Sequence, residues 1–457
     1  MFRFVDGPRG AWAGCLFSLV ATLLASAMWF PLNPAPQGAL MAPGVVLSLG
    51  IILVPALRLA TGSPSLTNAE NLVAAGYVLW LLVDLIQGGY AMDDASTEGL
   101  RLALVAVGVS AAAMWFGATR KPWALPKWLV DGVSRPLDRV TVARAIPVCF
   151  LLGMSNYLYS VNFDIPAMFS YLGESRWSAP WGRGQLGGWE AFRDQAPYFG
   201  YVLPALTALL IARRGLFKFQ SVLALVCTGI MLTFLAQGGG RRLVAVTVGA
   251  GLMVWVQANP SKRFMNVVVM ACGAIALAWT AQFMLNVRTQ GYQDFLLRGS
   301  EYDYLHIDDN FLRLAQIIDL VPSKRPYVGS QQVVFALVRP VPRVFWPAKP
   351  VNPGFDLPSE VGMRGVSLSS SIVGEWYLSL GWIAVIFGGW LHGRLASTTN
   401  SLRDLGNQVG NPIIYSLSVM VLVAGLRSMQ ELVLMSYALV AWWAASHFLT
   451  PKPLPTR

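Results

Sequence analysis

Charge is what this chain has least of. Only 12% of its 457 residues are charged while 55% are apolar, and an ordinary soluble domain carries about 25% charged residues. A soluble chain of this length folds as two or three domains behind a charged surface, and that class is excluded. Cysteine is scarce as well. Cys15, Cys149, Cys227 and Cys272 all fall inside apolar runs, so they give neither a disulfide framework nor a metal-ligand spacing and read as small packing groups. The three histidines, His306, His392 and His447, are far apart and form no zinc pattern. Lysine is rarer than arginine, with seven among 34 basic residues, and arginine suits planar contacts to phosphate or carboxylate.

The net charge of +11 is broken into short clusters between apolar runs rather than gathered on a stripe with interleaved aromatics. That distribution excludes nucleic acid as a partner and matches a protein oriented beside anionic lipids. Seventeen Trp, fourteen Tyr and twenty-two Phe add rings suited to the headgroup level.

What the chain has in quantity is apolar sequence. Runs near the length needed to cross a bilayer occur at 10–30, 40–59, 71–90, 100–118, 143–161, 198–212, 221–237, 243–256, 264–285, 371–391, 413–426 and 431–448. The first contains Ala25-Ser26-Ala27, a signal-peptidase-like triplet, but its length favours an uncleaved helix. Twelve spans within one membrane domain, 1–457, make an all-α, polytopic bundle with cytoplasmic termini. That orientation puts 18 basic residues on the inner side against 7 in the short outer segments. Two outer segments exceed a turn, 162–197 and the large loop 286–370. Within the latter, 309–320 predicts an amphipathic helix with Asp308 or Asp309 as its cap and Pro322 beyond its end, either along the membrane surface or over a cavity.

The least ordinary stretch is Arg339-Pro340-Val341-Pro342-Arg343-Val344-Phe345-Trp346-Pro347-Ala348-Lys349-Pro350. Prolines fix φ and restrict the preceding residue, so three cations sit on a stiff backbone, as an anion clamp requires. The alternative is a basic-aromatic interfacial anchor. Gly238-Gly239-Gly240-Arg241-Arg242 combines a glycine turn able to present backbone N–H groups with two arginines, which bind an anion or snorkel to lipid phosphates. Gly182-Arg183-Gly184-Gln185-Leu186-Gly187 matches a dinucleotide-binding spacing, but no strand precedes it, and the match is set aside as accidental. Glu375 sits at the mouth of a span, where an ionisable group marks a functional candidate. His306, Asp308 and Asp309 form a second group that supplies a base or simply caps a helix. Asp84, inside the third run, is a lone candidate for a transporter relay or a paired bundle residue.

On these residues the chain resembles the O-antigen polymerase (Wzy-type) family of bacterial surface polysaccharide polymerases. The likeness rests on Gly239–Arg242, on Val341–Pro350 within a large late loop, on Ser371-Ile372-Val373-Gly374-Glu375-Trp376-Tyr377, and on the arrangement of nearly the full chain. The resemblance implies a bacterial inner-membrane enzyme similar in build to the GT-C-type membrane glycosyltransferases, with its site facing the periplasm. It implies undecaprenyl-diphosphate-linked oligosaccharides as donor and acceptor, membrane lipids around it, a chain-length regulator as a partner, and no cofactor or metal. In that reading Arg241, Arg242, Arg339, Arg343 and Lys349 hold the diphosphate. Glu375 or Asp309, with His306 in reserve, takes the acceptor proton, and Trp346, Trp376 and Tyr377 contact sugar. Its rivals are an O-antigen ligase-like transferase, which differs in the acceptor, and a transporter or flippase, which predicts inverted repeats that the sequence does not display.

Overall fold

The computed structural model describes residues 6–28, 36, 38–89, 94–173, 179–181, 193–237, 240–290, 304–363 and 368–450. The Gly182–Gly187 match and the first two glycines of the Gly238–Arg242 turn lie outside the described residues. The described chain is helical: α1 (Gly7–Ala27), α2 (Met41–Thr61), α3 (Ala69–Leu81), α4 (Val83–Ile86), α5 (Thr97–Ala118), α6 (Lys127–Val133), α7 (Arg139–Ser160) and α8 (Ile165–Ser170) make its first part. There follow α9 (Pro197–Gly200), α10 (Leu203–Arg214), α11 (Phe219–Gln237), α12 (Arg241–Ala258) and α13 (Arg263–Gln290). The late loop holds α14 (Asn310–Leu320), α15 (Gln331–Val338) and α16 (Leu357–Glu360), and α17 (Ser371–Val409), α18 (Ile413–Gly425) and α19 (Met429–Leu449) close the bundle.

Every expected apolar run is occupied by helix, but not every helix has the length of a span. Among the described residues eight are long and apolar enough to cross a membrane: α1, α2, α5, α7, α11, α13, α17 and α19. The two apolar helices α3 and α18 have 13 residues each, about 20 Å at helical rise against a hydrocarbon layer of about 30 Å.

The bundle is built around the pairing of α5 with α17, flanked by α1 and α2, with α10, α12, α18 and α19 on the other side. Glycine permits the α5–α17 approach, since a Cβ at Gly389 would meet the Ser110 carbonyl, one at Gly393 the Met114 carbonyl, and one at Gly117 the Trp390 carbonyl. Lipid tails are as apolar as Leu, so close backbone contact of this kind is what holds membrane helices together.

α17 is broken near its start. Leu380 and Gly381 have non-helical backbone angles, Gly381 with φ +63°, a region open to glycine. The break frees the Leu378 and Ser379 carbonyls, which accept from Val328 (2.9 Å) and Gly329 (3.1 Å) of the late loop. The loop is thus hydrogen-bonded into the body at the kink. α14 is buried on all sides, against α5, α17 and α3, rather than lying on a membrane surface. Asp309 stands at its N-cap position but makes no side-chain cap. Its carboxylate and that of Asp308 are instead drawn to arginines, whose charge holds them better than a backbone N–H does.

At the opposite end of the bundle, fully buried Arg58 pairs with Glu70 (3.1 Å) and Asn71 (2.7 Å), and Asn400 donates to Glu70 (2.8 Å). This lattice ties α2, α3 and α17 together where their polar sequence begins.

Candidate functional site

The turn between α18 and α19 gathers the polar groups at the end of the bundle that carries the late loop. Arg427 donates from Nε to Asp308 (2.6 Å) and its Nη1 lies 3.7 Å from Glu431. Glu431 also receives Arg242 from the start of α12, at 2.9 Å. The Met429 N–H donates to Glu375 at 2.5 Å, and Gln430 accepts from Arg339 at 3.0 Å. Segments from 54 to 119 residues away, and Arg242 farther still, therefore meet on five consecutive positions, 427–431.

Two cations in the first turn of α12 oppose the helix dipole, which favours negative charge there. Their placement is held from outside the helix: Arg242 by Glu431, and Arg241 by the His306 carbonyl at 3.1 Å. The 304–309 segment is clamped on several sides besides. Asp84 accepts the Ile307 N–H (2.9 Å) and faces His306 Nδ1 at 2.8 Å, Gln87 exchanges hydrogen bonds with Leu305, and Gln282 of α13 accepts the His306 N–H (3.1 Å). Burial draws the His306 imidazole pKa down, but the hydrogen bond and charge of Asp84, with Asp309 behind them, outweigh that and the opposing Arg241 charge. His306 titrates above its ordinary value. Its Nε2 lies 3.9 Å from Asp309, whose other oxygen takes Arg313 at 3.2 Å.

The proline-rich stretch closes on itself. Arg343 donates to the carbonyls of Pro347 (3.3 Å) and Pro350 (3.2 Å), and Lys349 to those of Arg339 (3.1 Å) and Val341 (2.8 Å). Carbonyls of two prolines and two other loop residues are thus served by cations, and the loop holds its shape without a strand or helix. Burial, then the charges of Arg343 and Arg339, push the Lys349 amine below its ordinary value, so the three cations share one neighbourhood. Among the described residues no carboxylate lies within salt-bridge distance of Arg343 or Lys349. This is a positive surface whose cations are held by carbonyls of their own loop and balanced by no described carboxylate within that distance.

The sequence candidates are thus partly brought together. Arg241, Arg242, His306, Asp309, Arg339 and Glu375 converge through the 427–431 turn, and Arg343 and Lys349 adjoin it through Arg339. Glu375 is 5% exposed and its carboxylate faces inward to the turn. Of the aromatic candidates, Trp346 is exposed, Trp376 packs edge-on against Phe387, and Tyr377 is buried between Tyr327 and Trp382. Asp84 is paired rather than lone. Sequence reasoning gave Arg427, Gln430, Glu431 and Gln282 no site role. One local signal was available, Ser428-x-x-Glu431, a capping-box spacing at a span's start, and Ser428 Oγ does accept the Glu431 N–H (3.1 Å). Among the described residues, no three His, Cys, Asp or Glu side chains are arranged to hold a metal ion.

No family model, curated protein or solved structure matches this chain.

Proposed function

We propose that the protein polymerises polyprenyl-diphosphate-linked oligosaccharides at the loop end of the bundle. In this reading all twelve apolar runs lie at membrane depth, the termini are cytoplasmic, and the loop end faces the periplasm of a bacterial inner membrane. A hydroxyl of one lipid-linked unit attacks C1 of the sugar at the reducing end of the growing chain. A glycosidic C–O bond forms, the C1–O bond to diphosphate breaks, and polyprenyl diphosphate departs with the electron pair. The hydroxyl proton passes to a base, for which Asp309 is the better-placed carboxylate, being half-exposed beside His306. Glu375 keeps Met429 and the turn in position.

The observation that carries the reading is the positive charge of Arg343 and Lys349, paired with no described carboxylate and joined through Arg339 to the 427–431 turn. Diphosphate is a good leaving group already, so fixed cationic groups beside it supply the main requirement. The same geometry serves a ligase-like transferase, and the acceptor separates the two. The test is purified protein incubated with a lipid-linked repeat unit, once alone and once with a lipid A-core acceptor. Longer lipid-linked glycans, formed without nucleotide sugar, support polymerisation. Transfer only onto a lipid A-core acceptor assigns the ligase reaction instead, and no transfer by folded protein sinks both.

A further inference from the structure

A mainly apolar groove of about 360 Å3 runs between α11, α12 and α13, lined by Leu232, Ala236, Val244, Val248 and Ala276, with Thr233 and Thr280 among the rest. It exists because α13 stands off the body. No residue in that helix's most apolar 18-residue stretch is buried, and its main packing partner is α12. Arg241, Val244 and Val248 are spaced i, i+3 and i+7, so they share one face of α12, with Arg241 at the rim toward the loop end. That rim is roofed by His306. Arg241 of α12 donates to its carbonyl and Gln282 of α13 accepts its N–H, both at 3.1 Å.

We propose that this groove takes the isoprenoid chain of a polyprenyl-diphosphate lipid, whose head leaves the groove past the Arg241 rim toward the cationic loop end; this rests on the reading above. A long chain enters sideways from the bilayer without leaving an apolar phase. Moving from lipid to groove gains no hydrophobic free energy, so the groove aligns the chain while the cations bind the head. The second apolar groove, about 460 Å3 between α1, α5 and α17, includes Phe116 and Trp390. Those rings lie against Arg120 and Arg394 at the opposite end, away from the polar cluster.

The full chain in lipid nanodiscs is irradiated with a polyprenyl diphosphate bearing a diazirine on its isoprenoid chain, and labelled peptides are mapped by mass spectrometry. Labels are expected on the groove faces of α11 and α13. Ala276→Trp, which fills the groove, should reduce them about tenfold, and Ile275→Trp, on the 69% exposed neighbouring position, should leave them unchanged. Labels in the α1–α5–α17 groove, labels spread over all lipid-facing helices, or equal labelling by a diazirine phosphatidylglycerol would overturn the proposal. Groove labelling without elongation counts against the polymerase reading alone, whereas elongation without groove labelling counts against the groove alone.

Discussion

Replacing Asp84 with Asn should loosen the 304–309 segment. The amide keeps an oxygen for the Ile307 N–H but removes the negative charge 2.8 Å from the His306 imidazole. The two side chains are 10% and 2% exposed, so solvent screens the pair little, and it belongs with hydrogen bonds to charged groups, about 1.5–3 kcal/mol. A loss of about 2 kcal/mol makes the segment open about thirty times more often. The pH dependence has a definite sign. His306 titrates higher in the folded protein, so this contribution is fully present below the ordinary imidazole pKa of about 6.5 and fades as pH rises through the folded value. Arg241 and Asp309, the other charged groups facing His306, are unchanged by the substitution. Amide hydrogen exchange at 304–309, expressed as protection factors for the full chain in nanodiscs, reads the opening directly. Wild type should lose protection as pH rises from the ordinary imidazole value through the higher folded one, while Asp84→Asn starts about thirtyfold lower and varies little. Equal protection in the two proteins, or wild-type protection that rises with pH, refutes the pairing.

Three further substitutions probe other parts of the architecture. Gly381→Ala places a Cβ 2.7 Å from the Tyr327 hydroxyl at φ +63° and should cost about 1–3 kcal/mol, lowering the thermal midpoint in detergent, whereas Leu380→Ala, 60% exposed, should change it little. Arg58→Ala leaves Glu70 charged and buried, at a cost of about 3–5 kcal/mol, read as loss of monodisperse protein; adding Glu70→Gln should recover part of it. Arg343→Ala should slow elongation more than about tenfold with membrane insertion unchanged, and failed insertion would make Arg343 a structural residue.

Helix positions were legible because apolar runs in a lipid-facing chain have few other solutions. Helix lengths were not. Hydropathy ends the tenth run at Leu391, but α17 continues to Val409 because Ser397, Thr398 and Asn400 are polar residues packed against Arg120, Trp123 and Ala69 rather than exposed to water. The kink before it leaves only one glycine as a trace, and its carbonyls find partners some fifty positions away at 328 and 329. The site shows the same division. Arg339 to Lys349 announces itself through its prolines, but the hub at 427–431 does not. Its meaning lies in the pairing of Arg427 with Asp308 and of Glu431 with Arg242, and neither spacing leaves a local pattern. Asp308 and Asp309 invite reading as caps only while the arginines that claim them are out of sight.

The reaction proposed for the cationic loop is glycosyl transfer with polyprenyl diphosphate as the leaving group. Its most direct test counts, in one reaction of purified protein with a lipid-linked repeat unit, the polyprenyl diphosphate released and the glycosidic bonds formed. One released lipid per new bond is expected, with both falling together in Arg343→Ala. Lipid released without bond formation, or lipid-linked units carried across a vesicle membrane with neither product, would contradict it.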